Sequence, residues 1–238
     1  MGLSPFRRMA AGFVFLAGMA TPANANNNPA DFQHWLSAAP GRRVQVQKFE
    51  QFLRTAQVAR ILPLNELLLS ASHWQACGAV YPYELAPRED WPHIVPTLKF
   101  VRARVIPTIG PVDAVSGYRS PALGKCAGGA PKSAHGGYYA LDLVPKKSIP
   151  RAALIQKMCA VHAQFGQEYA VGLGFYDRLR FHVDTKGTRL WGSDFHAATS
   201  PCLVPAGGGA IAKIHPVTPT REKKVHAESR RRGDVARL

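Results

Sequence analysis

Ser133-Ala134-His135, Asp142 seven residues after that histidine, and His182 forty residues further on form the set of side chains best suited to chemistry. Two imidazoles and one carboxylate match a divalent zinc ion that keeps its fourth tetrahedral position open for water, the arrangement that separates catalytic from structural zinc. The chemistry implied is metal-assisted hydrolysis. Each residue alone fits an ordinary role: a loop histidine, an exposed strand end, a hydrogen-bonded sheet histidine. It is the three together that point to a metal.

Such ligands need elements to hold them. Ala140 to Val144 reads as a core strand carrying Asp142, and His135 precedes it in a glycine-rich loop whose backbone is free to aim a ligand. Val171 to Tyr176 and Arg180 to Thr185 read as two strands joined by Asp177-Arg178-Leu179 in a hairpin. Side chains two apart on a strand share a face, so His182 and Asp184 project together while Phe181 and Val183 project to the other side. A short β-branched run, Val112 to Ser116, delivers Tyr118 and Arg119 into a loop, and Ala122 to Lys132 reads as irregular chain.

Around these lie helical patterns. Phe49, Phe52, Leu53 and Ala56 recur at helical spacing within Val44 to Ala59, and a second run from Ile94 ends near Pro107 and Gly110. A third helix is expected from Pro150 to Phe165, with proline at a favoured first-turn position. Leu64 to Trp74 is a buried apolar segment of either type, and Tyr81 to Trp91 reads as a loop. The hairpin is too tight for a parallel crossover. The fold class is therefore α+β, with helices packed around a small antiparallel sheet that carries the zinc site.

Composition sets the surroundings. Residues 1–25 carry Arg7 and Arg8, an apolar run from Met9 to Met19, and Ala23-Asn24-Ala25, the pattern of a secretory signal peptide. That run is shorter than the roughly 20 apolar residues a bilayer span needs, so no transmembrane anchor is expected. Residues 213–238 hold eight Lys or Arg against three acids and read as a disordered basic tail. Removing the tail's surplus of five and the leader's two from the net charge of +15 leaves +8 on residues 26–212. An exported basic chain without interleaved aromatic and basic residues is expected to meet anionic envelope polymers rather than nucleic acid.

Residues 26–90 are expected to form an amino-terminal helical and loop layer of the same domain as the core, residues 91–212. Cys77, Cys126, Cys159 and Cys202 contain no Cys-x-x-Cys, so disulfides are expected rather than a zinc ribbon. Of the three possible pairings we favour Cys77 with Cys126 and Cys159 with Cys202. The first ties the amino-terminal layer to the loop before the metal motif, and the second pins the carboxy-terminal end to a helix.

Ser116-Gly117-Tyr118-Arg119-Ser120, then Ser133-Ala134-His135 with Ala140-Leu141-Asp142-Leu143, then Gly172-Leu173-Gly174-Phe175 leading to Phe181-His182-Val183-Asp184 resemble the signature blocks of zinc D-Ala-D-Ala carboxypeptidases. That family shares a metallopeptidase superfamily with lysostaphin-type peptidases and the hedgehog signalling domain. The similarity runs from about Trp91 to Trp191 and is greatest to the branch whose last block ends in His-x-Asp, which includes cell-wall endopeptidases.

The resemblance implies one zinc ion bound by His135, Asp142 and His182. It also implies Arg119 holding a substrate carboxylate or polarising the scissile carbonyl, with peptidoglycan peptides as substrates in the periplasm or cell envelope. Ser133 would orient the metal loop or contact substrate, and Tyr138 or Tyr139, lying between two ligands, would line the cleft. Many members place an acid three residues before the last histidine as general base, and here that position is Leu179. Asp184 is the first candidate to move the proton in its place, with Asp177 a more distant one; equally, Asp184 would orient the His182 imidazole. The missing acid also supports a rival reading, a zinc-containing wall-binding module without activity.

Overall fold

The computed structural model describes residues 28–203. The expected signal peptide and basic tail lie outside the described residues. Pro29–Ser37 (α1), capped by the Asn28 side chain, and Arg42–Thr55 (α2) open the chain. On α2 the buried positions are Val46, Phe49 and Leu53; of the expected stripe, Phe49 and Leu53 are buried, while Phe52 and the C-cap residue Ala56 pack against the core only partly buried. Leu64–Leu67 (α3) follows, within the segment whose type the sequence left open.

Ile94–Phe100 (α4) passes through a π-helical turn, Val101–Val105, into Ile106–Ile109 (α5), so one continuous helical path fills the place of the second expected helix. Pro121–Cys126 forms a short helix (α6) where irregular chain was expected. Proline at its first turn favours helix entry, and the Cys77–Cys126 disulfide anchors its last residue. Arg151–Phe165 (α7) buries Leu154, Met158 and Val161 and is tied to the end of the described chain by the Cys159–Cys202 disulfide. Both disulfides have the expected pairing.

Five strands, Val112–Ser116 (β1), Ala140–Pro145 (β2), Gly172–Phe175 (β3), Phe181–Asp184 (β4) and Arg189–Trp191 (β5), make one sheet in the order β1-β2-β4-β3-β5. The first four pair antiparallel, with β3 and β4 as the expected hairpin. β5 pairs parallel with β3, so the sheet is mixed rather than purely antiparallel. This strand was not foreseen because three residues, Arg189-Leu190-Trp191, carry no period that could identify them. The fold is α+β with a five-stranded sheet.

One apolar core joins both parts of the chain: Trp35, Phe49 and Leu67 belong to the same buried cluster as Leu141, Leu173 and Phe181. No helix of the described residues is long and apolar enough to cross a membrane.

Glu66 marks the joint between α3 and β1. Its Oε2 accepts a bond from the Ala114 amide at 2.9 Å, and the residue is 3% exposed. Burial pushes its pKa up from 4.5 to about 7, with the neighbouring Asp113 adding to the rise. A carboxyl raised on folding stabilises below its unfolded value, and that contribution is lost as pH rises through the folded value. Between pH 5 and pH 8 the loss is at most about 3 kcal/mol. Glu66→Gln keeps the acceptor and removes the charge, so urea unfolding of this variant should lack the stability drop that wild type shows across that range. Equal wild-type stability at both pH values would show that Glu66 enters the fold already ionised.

Candidate metal centre

The site is built on the middle of the sheet. Asp142 of β2 lies directly across from His182 of β4, and His135 sits in a 3₁₀ turn, Ala134–Gly137, just before β2. Ser133 caps that turn, its Oγ accepting from the His135 amide at 3.3 Å. All three residues are buried.

Their donor atoms form a small triangle. His135 Nε2 is 3.1 Å from His182 Nδ1 and 3.3 Å from Asp142 Oδ1, and His182 Nδ1 is 3.0 Å from that same oxygen. A tetrahedral ion with ligands about 2.0 to 2.1 Å away holds them about 3.3 Å apart, so the triangle has the dimensions of one face of such a site.

The outer nitrogens are committed elsewhere. His135 Nδ1 is 2.6 Å from the Gly117 carbonyl, which can only accept, so that nitrogen carries the proton and Nε2 presents its lone pair inward. His182 Nε2 is 2.9 Å from Asp184 Oδ2, which likewise leaves Nδ1 facing the triangle. Three electron-pair donors converging on one point repel one another unless a cation lies between them. The group therefore fits a metal ion both in its chemistry and in its spacing.

Electrostatics favour the same use at Asp142 and His135 and oppose it at His182. Burial alone would raise the pKa of Asp142, but the Arg180 charge and the hydrogen bonds to the two histidines outweigh it and hold the carboxyl well below the usual range. Burial pushes His135 down to about 4, keeping the imidazole neutral, the form able to bind a metal. His182 moves the other way: burial would lower it, yet its bonds to Asp142 and Asp184 prevail and raise it. Of the two imidazoles, His182 is therefore the one that takes up a second proton, which metal binding would displace.

Two arginines hold the far side of Asp142. Arg119 Nη2 donates to Oδ2 at 2.7 Å and also lies 3.2 Å from His135 Nε2, while its Nε is anchored on Ser116 Oγ. Arg180 Nη2 donates to the same Oδ2 at 2.5 Å, with Nη1 on Ser72 Oγ. Arg180 escaped the sequence reading. The alternation that paired His182 with Asp184 puts Arg180 on the same face one step earlier and would have identified it.

Asp184 does not face the cavity. It is fully buried, with Oδ2 on His182 and both oxygens taking bonds from Arg189, and Oδ1 also accepts from the Lys186 amide. Two glycines of β3 make room for this layer: a Cβ at Gly172 would lie 2.2 Å from Asp184 Oδ2, and one at Gly174 2.1 Å from the Trp191 ring nitrogen. Without side chains there, Asp184 and Trp191 lie flat across the strand, and the Trp191 ring packs edge to face 4.9 Å from His182.

A cavity of about 590 Å³ opens over His135 and His182, with Ser133, Arg119, Arg180 and Tyr176 on its walls. Asp177 is the carboxylate that lines it. Burial, then the charge of Asp142, pushes the Tyr176 hydroxyl up, so it stays protonated beside the site. His73, from the amino-terminal layer, also reaches the cavity, without joining the triangle.

Tyr138 is a correction to the sequence expectation. It is fully buried, its hydroxyl donates to the Leu67 carbonyl at 2.8 Å, and its ring packs among Phe49 and Tyr118. A side chain between two ligands in sequence points to the core here because Tyr138 adopts a left-handed backbone, φ 57°, as it leaves the 3₁₀ turn. Leu179, the position of the missing acid, packs against the core. Comparisons of the chain with protein-family models, curated proteins and solved structures gave no match.

Proposed function

We propose that this protein is an exported zinc metallopeptidase that hydrolyses peptide bonds in peptidoglycan stems, as the similarity of its motif blocks to zinc D-Ala-D-Ala carboxypeptidases implies. The observation that carries the reading is the triangle of His135 Nε2, Asp142 Oδ1 and His182 Nδ1, with lone pairs turned inward by Gly117 and Asp184. A sheet carrying such ligands beside a cleft is also what the hedgehog and D-Ala-D-Ala peptidase resemblance implies.

His135, Asp142 and His182 would hold the zinc, which when bound polarises a carbonyl and acidifies water. The remaining roles fall to the chain's own groups. Arg119 and Arg180 keep Asp142 ionised and oriented, and Arg119, at the cavity wall with its Nε and Nη2 already engaged, offers its remaining Nη1 to a substrate carboxylate or carbonyl. Ser133 fixes the turn that aims His135. Asp184 acts as a positioning residue for His182, while Asp177, on the cavity wall, receives and passes on the proton. Trp191 and the buried Asp184 layer exclude water from behind the ligands.

Two observations favour a rival: Leu179 packs against the core, and Asp184 lies behind His182 and away from the cavity. Both would suit a zinc-containing binding module without turnover. One experiment separates the readings. Purified protein is expected to hold one zinc per chain and to shorten or split purified muropeptides, as read by mass, and His135→Ala is expected to lose both properties. Stoichiometric zinc with no product from any muropeptide, together with retention on purified wall material, would establish the binding module; no zinc would defeat both.

A further inference from the structure

A second cavity, of about 630 Å³, adjoins the metal cavity and shares Arg119, Ser133 and His135 with it. Lys125 of α6, Lys132 and Lys186 line this second space, and no Asp or Glu does. None of the three lysines forms an ion pair among the described residues. All three are exposed; the Cys77–Cys126 disulfide holds the backbone next to Lys125, and Lys186 donates to the Lys132 carbonyl at 3.0 Å. Lys132 itself sits in the left-handed backbone region, φ 64°, which a non-glycine residue adopts at a cost.

Like charges gathered around one concavity repel one another and attract an anion, and low-dielectric walls strengthen the effect. We propose that this lysine-lined cavity binds a carboxylate of the peptide whose scissile bond lies at the metal centre, selecting acidic peptides over their amidated forms. The inference rests on the peptidase reading for the position of the scissile bond. Because the two cavities share Arg119, Lys132, Ser133 and His135, one peptide can reach both. Either an acidic side chain or the peptide's own terminus could supply it.

Four pentapeptides ending in D-Ala-D-Ala test this with the zinc-loaded full chain: a Glu or a Gln within the peptide, each with the terminus free or amidated. Calorimetry reads affinity and mass spectrometry reads cleavage. The Glu peptide is expected to bind about tenfold more tightly than its Gln form in low salt, with the ratio shrinking as salt rises. The triple variant Lys125→Ala, Lys132→Ala, Lys186→Ala should bring that ratio close to one, and Lys125→Ala or Lys186→Ala alone should lower it in part. Lys157→Gln, outside both cavities, should leave the ratio in place, which separates a local site from net charge.

If only the free and amidated termini differ, and that difference depends on the lysines, the carboxylate held is the terminal one. Wild-type ratios near one for both pairs, or ratios untouched by the triple variant, overturn the inference. Lysine-dependent ratios with no cleavage of any peptide overturn the peptidase reading and leave the anion site standing.

Discussion

Asp142→Asn is expected to lower zinc affinity by about a hundredfold or more and to destabilise the fold by about 3 to 5 kcal/mol. The affinity estimate rests on the proposed zinc site, of which Asp142 is the one charged member. The stability estimate follows from what surrounds the side chain: Arg119 and Arg180 both donate to Oδ2, and His182 and His135 face Oδ1. An amide presents one oxygen where two are needed and no charge, leaving two largely buried guanidiniums uncompensated.

The acid limb gives a second reading of the same variant. A carboxyl lowered by folding stabilises above its unfolded value of about 3.9, and that contribution is lost as pH falls toward the folded value. Wild type should therefore lose stability more steeply than Asp142→Asn below pH 4. Competitive chelator titration and urea unfolding, done together, check both parts. Wild-type zinc affinity in the Asn variant would remove Asp142 from the ligand set, and unchanged stability would show that the arginines find solvent instead.

Asp177→Asn and Asp184→Asn are expected to separate turnover from metal retention. Asp177 lines the cavity and forms no ion pair among the described residues, so its amide should keep zinc at wild-type affinity and lower kcat by about a hundredfold to ten-thousandfold, the usual loss of a group that moves a proton. Asp184 is walled off behind His182, with Arg189 and the Lys186 amide occupying its oxygens. Replacing it should weaken zinc binding by about 10- to 100-fold through loss of orientation and basicity at His182. Saturating zinc should then restore much of the activity. Gly172→Ala, whose Cβ would strike Asp184, should reproduce the Asp184→Asn phenotype without touching a charge. A full loss of turnover in Asp184→Asn that zinc does not restore, beside an active Asp177→Asn, would return the proton-moving role to Asp184.

Much of the centre was legible in the chain because its clues are local. Strand alternation placed His182 and Asp184 on one face and would have added Arg180. Cysteine spacing excluded a zinc ribbon, and of the three pairings the two disulfides join the favoured partners. The α+β class followed from helical stripes beside a hairpin too short for a crossover.

What the tertiary structure decided depends on contacts distant in sequence. The inward nitrogen of His135 is chosen by the Gly117 carbonyl, eighteen residues away, which no periodicity encodes. Tyr138 turned inward because Leu67, 71 residues earlier, accepts its hydroxyl bond, and the Asp184 carboxylate was withdrawn from the cavity by Arg189 lying over Gly172. Sequence alone thus determined which residue types could bind a metal. Packing determined which atoms of those residues face the centre, because direction is set by neighbours that only folding brings together.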